Sequence, residues 1–234
     1  MDQERFEAVS RRAAIHAALG DPIRLAIVDE LSRSDRAPSD LVVLLGIGAP
    51  LLSFHLDTLE HVGLVRRRRS TGDRRRRYVQ LIDVPSAGVV SGSIEQSTTE
   101  RIAPVTPDRP VTFVCTHNSA RSQLAAALWR TMLHRPARSA GTEPADAVHP
   151  GAVAAARRNH LDLAAARPAR YRPTAGEFVV TVCDRAHERI RAGTESQSGW
   201  HWSLPDPAVD GTDAAFDDTV ASLRRRISAI RTVR

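Results

Sequence analysis

Apolar and polar positions along the first eighty residues follow a helical period. Phe6, Val9, Ala13 and Ala17 form a stripe between residues 4 and 18. Asp21 and Pro22 supply an N-cap and a first helical position, and Ile23, Ile27, Val28 and Leu31 form the apolar face that follows. Ser39 is placed to cap a short helix reaching Leu45. Gly46-Ile47-Gly48 then makes a corner, and a further helix runs from about Ala49 to His61, closed by Gly63. Two short helices about a glycine turn predict a helix-turn-helix, whose second helix enters the major groove of DNA. Leu64 to Leu81 continues as strand, tip at Thr71-Gly72-Asp73, and strand: a β-wing.

The period is lost in residues 84–109, which are rich in Ser, Thr, Pro and Gly and hold at most one weak helical turn near Glu95 to Ile102. Beyond them apolar runs alternate with Ala-rich helical stretches. Val111–Cys115, Arg138–Gly141 and Glu177–Asp184 are short buried strands, and a fourth precedes the His201 segment. Gln123 to about His134, Pro150–His160 and Asp213–Ile230 are helical. This alternation predicts a small parallel sheet flanked by helices, with its ligand site at the C-terminal ends of the strands. The expected organisation is a winged helix-turn-helix over 1–83 (mostly α, with a β-wing), a linker over 84–109 and an α/β domain over 110–234. A length of 234 residues accommodates two small domains.

Composition sharpens the picture. No run approaches 18 apolar residues, so no membrane span is expected. The N-terminus is acidic and amphipathic, unlike a signal peptide, and Cys115 and Cys183 are expected to be reduced. A cytoplasmic protein is the expectation. All 33 basic residues are arginine, and the formal charge is +6. Arg66, Arg67, Arg68, Arg69, Arg74, Arg75, Arg76 and Arg77 crowd the wing beside a single acid, Asp73. Such a strip is either a solvated charge run or a contact for DNA phosphates; mutual repulsion of the guanidinium groups favours the second. His16, His55 and His61 are isolated, and no metal site is expected.

The informative chemistry is Cys115-Thr116-His117-Asn118-Ser119-Ala120-Arg121-Ser122, a Cys-x5-Arg loop between a strand and a helix. Loop amides at a helix N-terminus cradle an oxyanion and favour a thiolate. Arg121 holds two oxyanion oxygens in its planar fork. Ser122 is placed to donate to the sulfur, Asn118 to brace the loop, and His117 to face solvent rather than act as a base. Asp206, fixed between Pro205 and Pro207, suits a general acid whose pKa is raised by desolvation; alone, Asp-Pro would equally be a turn or a helix cap.

These residues carry two resemblances. LGDPIRLAIVDEL, DLVVLLGIGAPLLSFHLDTLEHVGLV and the arginine wing resemble winged-helix repressors of the ArsR type over roughly residues 10–82. That resemblance implies an operator in double-stranded DNA, a homodimer held by the first helix, and Ser53 and His55 as DNA-facing or DNA-positioning residues. Ala49 stands where many members have Gln. Arg36–Asp40 replaces the Cys-x-Cys pair, so no thiolate site for arsenite or a soft metal exists there.

Residues 110–232 resemble the low-molecular-weight protein tyrosine phosphatases, and within them the arsenate reductases, through Arg121-Ser122-Gln123 and through His201-Trp202 ahead of Asp206-Pro207-Ala208. The resemblance implies Cys115 as nucleophile, Arg121 and the loop amides as oxyanion binders, and Asp206 as proton donor. Thioredoxin-linked reductases carry a further Cys where this chain has Ile190, so their three-cysteine relay cannot run. The second attacker is then an external thiol or Cys183. The all-arginine, Ala-rich composition suggests GC-rich coding such as that of actinobacteria, where mycothiol with mycoredoxin would be the reductant. Ala126 replaces the Glu of potassium-binding relatives, so that site is not expected, nor is any tightly bound cofactor. The expected function is an arsenic-responsive repressor fused to a thiol-dependent arsenate reductase. The alternatives are a phosphatase using water as second attacker, or an idle oxyanion or redox sensor controlling the repressor.

Overall fold

The computed structural model describes residues 2–82, 109–193 and 199–230, which form two compact units. Most of the expected linker, including the turn near Glu95–Ile102, lies outside the described residues.

In the first unit α1 (Gln3–Leu19) is capped by Asp2, and α2 (Pro22–Arg33) by Asp21, whose Oδ1 accepts from the amides of Ile23 at 2.9 Å and Arg24 at 3.0 Å. The α3 helix (Pro38–Leu45) starts at its proline, after Ala37. Ser39 therefore lies inside the first turn and does not cap it, because the fixed φ of Pro38 already begins the helix. Gly46 ends α3 in the left-handed conformation at φ 64°, and α4 (Ala49–His61) follows. The wing is an antiparallel pair, β1 (Val65–Arg69) and β2 (Arg77–Leu81), in register from Val65 opposite Leu81 to Arg69 opposite Arg77.

The core gathers Ile15, Ile27, Leu31, Leu41, Leu52, Leu56, Leu59, Val65 and Val79. One expectation fails here. The Phe6–Val9–Ala13–Ala17 stripe is exposed, and α1 instead buries Ile15 and Ala18. Within one chain the stripe has nothing to pack on.

The second unit contains β3 (Val111–Cys115), α5 (Arg121–Leu133), β4 (Ala137–Gly141), α6 (Pro150–Arg158), β5 (Phe178–Thr181), α7 (Asp184–Gly193), β6 (Gly199–His201), α8 (Pro207–Asp210) and α9 (Asp213–Ser228). The strands are parallel in the order β4-β3-β5-β6. The chain runs outward from β3 to β4, then returns past β3 to β5. The switch point therefore lies between β3 and β5, where ligands of open parallel sheets bind. Cys115 ends β3 there.

The expected strand over Glu177–Asp184 is shorter. Cys183 lies past the end of β5, and Asp184 opens α7, a helix too polar to show an apolar stripe in the sequence. The α5 helix packs on β3, β4 and α9. Phe113, fully buried at the centre of β3, meets Trp129 edge-on at 5.5 Å and Trp202 at 5.8 Å. Truncating it empties the space between two tryptophans. Phe113→Ala is expected to lower stability by about 3–5 kcal/mol, read as a fall in the urea midpoint of the tryptophan fluorescence transition.

Candidate functional site

The strand-to-helix turn places Cys115 Sγ under two donors. The Asn118 amide donates to the sulfur at 3.2 Å, and the Ser122 hydroxyl lies 3.0 Å away. Asn118 adopts φ 50°, and its side chain spans the loop: Nδ2 donates to Ser122 Oγ at 2.8 Å, and Oδ1 accepts from the Ala169 amide at 2.9 Å. Gln123 completes the brace. Its Nε2 donates to the Asn118 carbonyl at 3.1 Å, and its Oε1 accepts from Ser139 Oγ at 3.0 Å.

The loop carbonyls are held outward. Those of Cys115, Thr116, His117 and Ser119 accept from the amides of Thr142, Glu143, Ala145 and His149 at 2.8–3.1 Å. Among the described residues the amides of Ser119, Ala120, Arg121 and Ser122 have no acceptor on the chain, so they form an anion cradle at the start of α5. Gly141 permits this packing: a Cβ there would stand 2.7 Å from the Thr116 carbonyl oxygen. His117 is exposed and Thr116 buried.

Arg121, 5% exposed, reaches across to the loop after β6. It donates to the Leu204 carbonyl at 3.1 Å and to Asp206 Oδ2 at 2.6 Å. Asp206 also caps α8, its Oδ1 accepting from the Ala208 amide at 3.2 Å. The expectation of a desolvated carboxyl is therefore corrected. The side chain is 31% exposed and ion-paired, because the buried guanidinium needs a counter-charge. Arg121 nonetheless ties Asp206 to the start of α5, the helix that follows the Cys115 loop.

Cys183 Sγ lies 3.4 Å from Thr116 Oγ1. Burial pushes its thiol pKa up and Cys115 adds to this, against the opposing pull of Arg121 and the Thr116 hydroxyl.

A second polar cluster escaped the sequence reading. Asp184 and His201 are both buried, with Asp184 Oδ1 3.2 Å from His201 Nε2; Thr181 Oγ1 bridges His201 Nδ1 at 2.9 Å and His187 Nδ1 at 3.0 Å. Burial alone would raise the Asp184 carboxyl, but hydrogen bonds from His201 and Ser203 outweigh it and hold the pKa at about 2. His201 was visible only as part of a motif. Its role as partner of an acid 17 residues away appears only when β5 and β6 pair.

Residues 110–232 match the family described as low molecular weight phosphotyrosine protein phosphatase. The chain belongs to that family. Residues 21–67 match the bacterial regulatory protein arsR family. Solved structures similar to this chain include an arsenate reductase in the phosphate binding state (21% identity, TM-score 0.42, covering 51% of this chain and 94% of that one). They also include the tyrosine phosphatase Wzb from Escherichia coli K30 (21%, 0.46, 51% and 94%) and the YwlE arginine phosphatase from Geobacillus stearothermophilus (20%, 0.44, 52% and 89%). No curated protein matches the chain.

In the ArsR-family unit, Ser53 is exposed on α4, but His55 is 4% exposed and cannot face DNA. Its Nδ1 stands 3.7 Å from Asp21 Oδ1, the cap of α2, which leaves it only the role of positioning α4. The wing arginines divide. Arg67 bonds Asp57 at 2.7 Å and Glu60 at 2.6 Å, Arg66 bonds Gln80 at 3.1 Å, and Arg75 bonds Asp73 at 3.0 Å. Arg76 lies 3.9 Å from Asp73, and Arg68 is half-buried with a partner of its own. Arg69, Arg74 and Arg77 are exposed. Acids from α4, just ahead of the strip in sequence, thus remove part of the repulsion that its composition implied.

Two measurements follow. Asp184 titrates lower in the fold than in the unfolded chain, so its stabilisation is present above about pH 4 and is lost as pH falls through about 2. Asp184→Asn is expected to lower stability at pH 7 by about 2 kcal/mol and to remove that part of the acid transition, read by denaturant titration between pH 2 and 7. Gly141→Ala, which drives a methyl into the Thr116 carbonyl, is expected to weaken oxyanion binding at least tenfold in phosphate titrations by calorimetry.

Proposed function

We propose that this chain is an ArsR-type DNA-binding regulator carrying a thiol-dependent arsenate reductase. Residues 1–83 and 110–234 are the two domains, and 84–109 joins them. The observation that carries the catalytic half is the Cys115 sulfur within reach of the Asn118 amide and the Ser122 hydroxyl, in the loop that leads into the helix whose first residue, Arg121, bonds Asp206. The rim favours a small inorganic oxyanion. Ala208 and Val209 follow Asp206-Pro207, where a phosphotyrosine ring would call for an aromatic neighbour.

In this reading arsenate enters with its oxygens on the loop amides, and Arg121 transfers a hydrogen bond from Asp206 to the anion. Cys115 thiolate attacks arsenic while Asp206, as the carboxylic acid, protonates the departing oxygen, which leaves as water. An external thiol then attacks Cys115 Sγ. The S–S bond forms, the As–S pair of electrons stays on arsenic, As(V) becomes As(III), and arsenite departs. A second thiol frees Cys115. The raised thiol of Cys183 favours an outside nucleophile over an internal one. A low-molecular-weight thiol such as mycothiol, with a mycoredoxin, fits that role.

The family itself supports a second reading, hydrolysis of a phosphate ester by the same three residues with water attacking the Cys115 intermediate.

The DNA-binding half is proposed to act as a homodimer through α1, whose Phe6 and Val9 are 55% and 45% exposed. Among the described residues no single helix is long and apolar enough to cross a membrane; a cytoplasmic protein is proposed.

The purified chain is expected to form arsenite from arsenate with mycothiol plus mycoredoxin, and Cys115→Ser to abolish it. Parallel reactions with glutathione plus glutaredoxin and with thioredoxin identify the second thiol. Absence of turnover in all three, with turnover of an aryl phosphate, would replace the reductase by the phosphatase. Light scattering at micromolar concentration is expected to show a dimer that Phe6→Glu converts to monomer.

A further inference from the structure

In the first two turns of α4 the exposed side chains are those of Ala49, Pro50, Leu51, Ser53 and Phe54, while Leu52 and His55 are buried. Leu51 is 45% and Phe54 61% exposed, and a spacing of three residues puts them on one side of the helix. Among these five residues only Ser53 has a hydrogen-bonding side chain. The end of the helix that enters the groove thus presents carbon where base edges would otherwise meet amides and guanidinium groups.

The surroundings of this patch indicate its occupant. β1 runs beside α4, and Arg67 on that strand neutralises Asp57 and Glu60, the acids one to two turns further along the helix. Arg66 and Arg69 on the same strand are exposed. An apolar patch on a helix that packs against an arginine strand matches a duplex, which offers phosphates at the rim of its major groove and a methyl group within it. Thymine alone of the four bases carries an apolar group on that edge. Phe54 lies with its ring edge-on to the buried His55 ring at 5.5 Å.

We propose that Phe54 and Leu51 read thymine methyl groups in the major groove, so that this helix selects its operator by apolar contact rather than by hydrogen bonds to base edges. The proposal rests on the DNA-binding reading above. Ser53 bonds any base and adds little discrimination; the methyl contacts separate thymine from cytosine, and equally from uracil. Phosphate contacts by the wing supply affinity without sequence preference.

The test begins by selecting preferred sites for the full-length chain from a random duplex pool. Binding of the best site is then measured by fluorescence anisotropy at two salt concentrations, with thymines replaced singly by deoxyuridine. Loss of one contacted methyl is expected to weaken binding about fourfold. Phe54→Ala, an exposed substitution whose fold is checked by thermal melting, is expected to remove that penalty while keeping the steep salt dependence. Leu51→Ala should do the same at a neighbouring thymine. A selected site indifferent to deoxyuridine, or a penalty unchanged in both variants, would overturn methyl readout and leave the operator reading standing. A pool that yields no preferred sequence would remove both.

Discussion

The phosphatase-family unit depends on turning one loop inside out. Between Cys115 and Ser122 the backbone must aim its amides at a shared centre, which forces the carbonyls outward, where each needs a donor. The segment after β4 supplies four of them in order, from Thr142, Glu143, Ala145 and His149. This fixes more than the loop. It requires β4 to lie beside β3 in register, with Gly141 opposite Cys115, and it requires a residue without a side chain at that contact. Asn118 takes the positive φ that the turn needs and spends its side chain bracing Ser122 and Ala169. The sulfur is thus presented by a loop whose outward carbonyls are already bonded, which holds its amides in place.

Arg121 shows the same economy from the side of charge. A guanidinium 5% exposed calls for a nearby anion, and Asp206 supplies it. An incoming oxyanion must replace that carboxylate. A ligand carrying two negative charges does so at smaller cost than a neutral or singly charged one, because it meets the guanidinium and the amide cradle together. The Arg67 clamp on Asp57 and Glu60 follows a related logic in the ArsR-family unit, where internal pairing decides which arginines remain for an outside anion.

Much of this was legible in the sequence because the deciding features are local. Asp21-Pro22 capped α2 as its chemistry dictates, Gly46-Ile47-Gly48 made the corner, and Cys-x5-Arg after an apolar run gave strand, loop and helix. What escaped depends on residues far apart. The exposed α1 stripe looked like a core face because its period is correct; nothing local says that Ile15 and Ala18, on the other side, are the ones buried. His55 resembled a DNA contact by motif, yet the helix rotation that places Leu52 and Leu56 in the core carries His55 inward with them. The α7 helix has too few apolar residues to announce itself. The dispersal of wing charge by α4 acids required knowing that β1 lies beside α4.

Two cysteines at neighbouring strand ends illustrate how the surroundings, not the residue type, assign chemistry. Cys115 meets an amide and a hydroxyl aimed at its sulfur, and Cys183 meets one hydroxyl, apolar burial and the first sulfur. A thiol disfavoured from ionising is a poor nucleophile at neutral pH but a compact, polarizable filler beneath the loop. In the proposed reaction this asymmetry favours an outside thiol over Cys183 as the second attacker. Under the same proposal Ala208 and Val209, which follow Asp206-Pro207, offer no aromatic ring to a bulky ester.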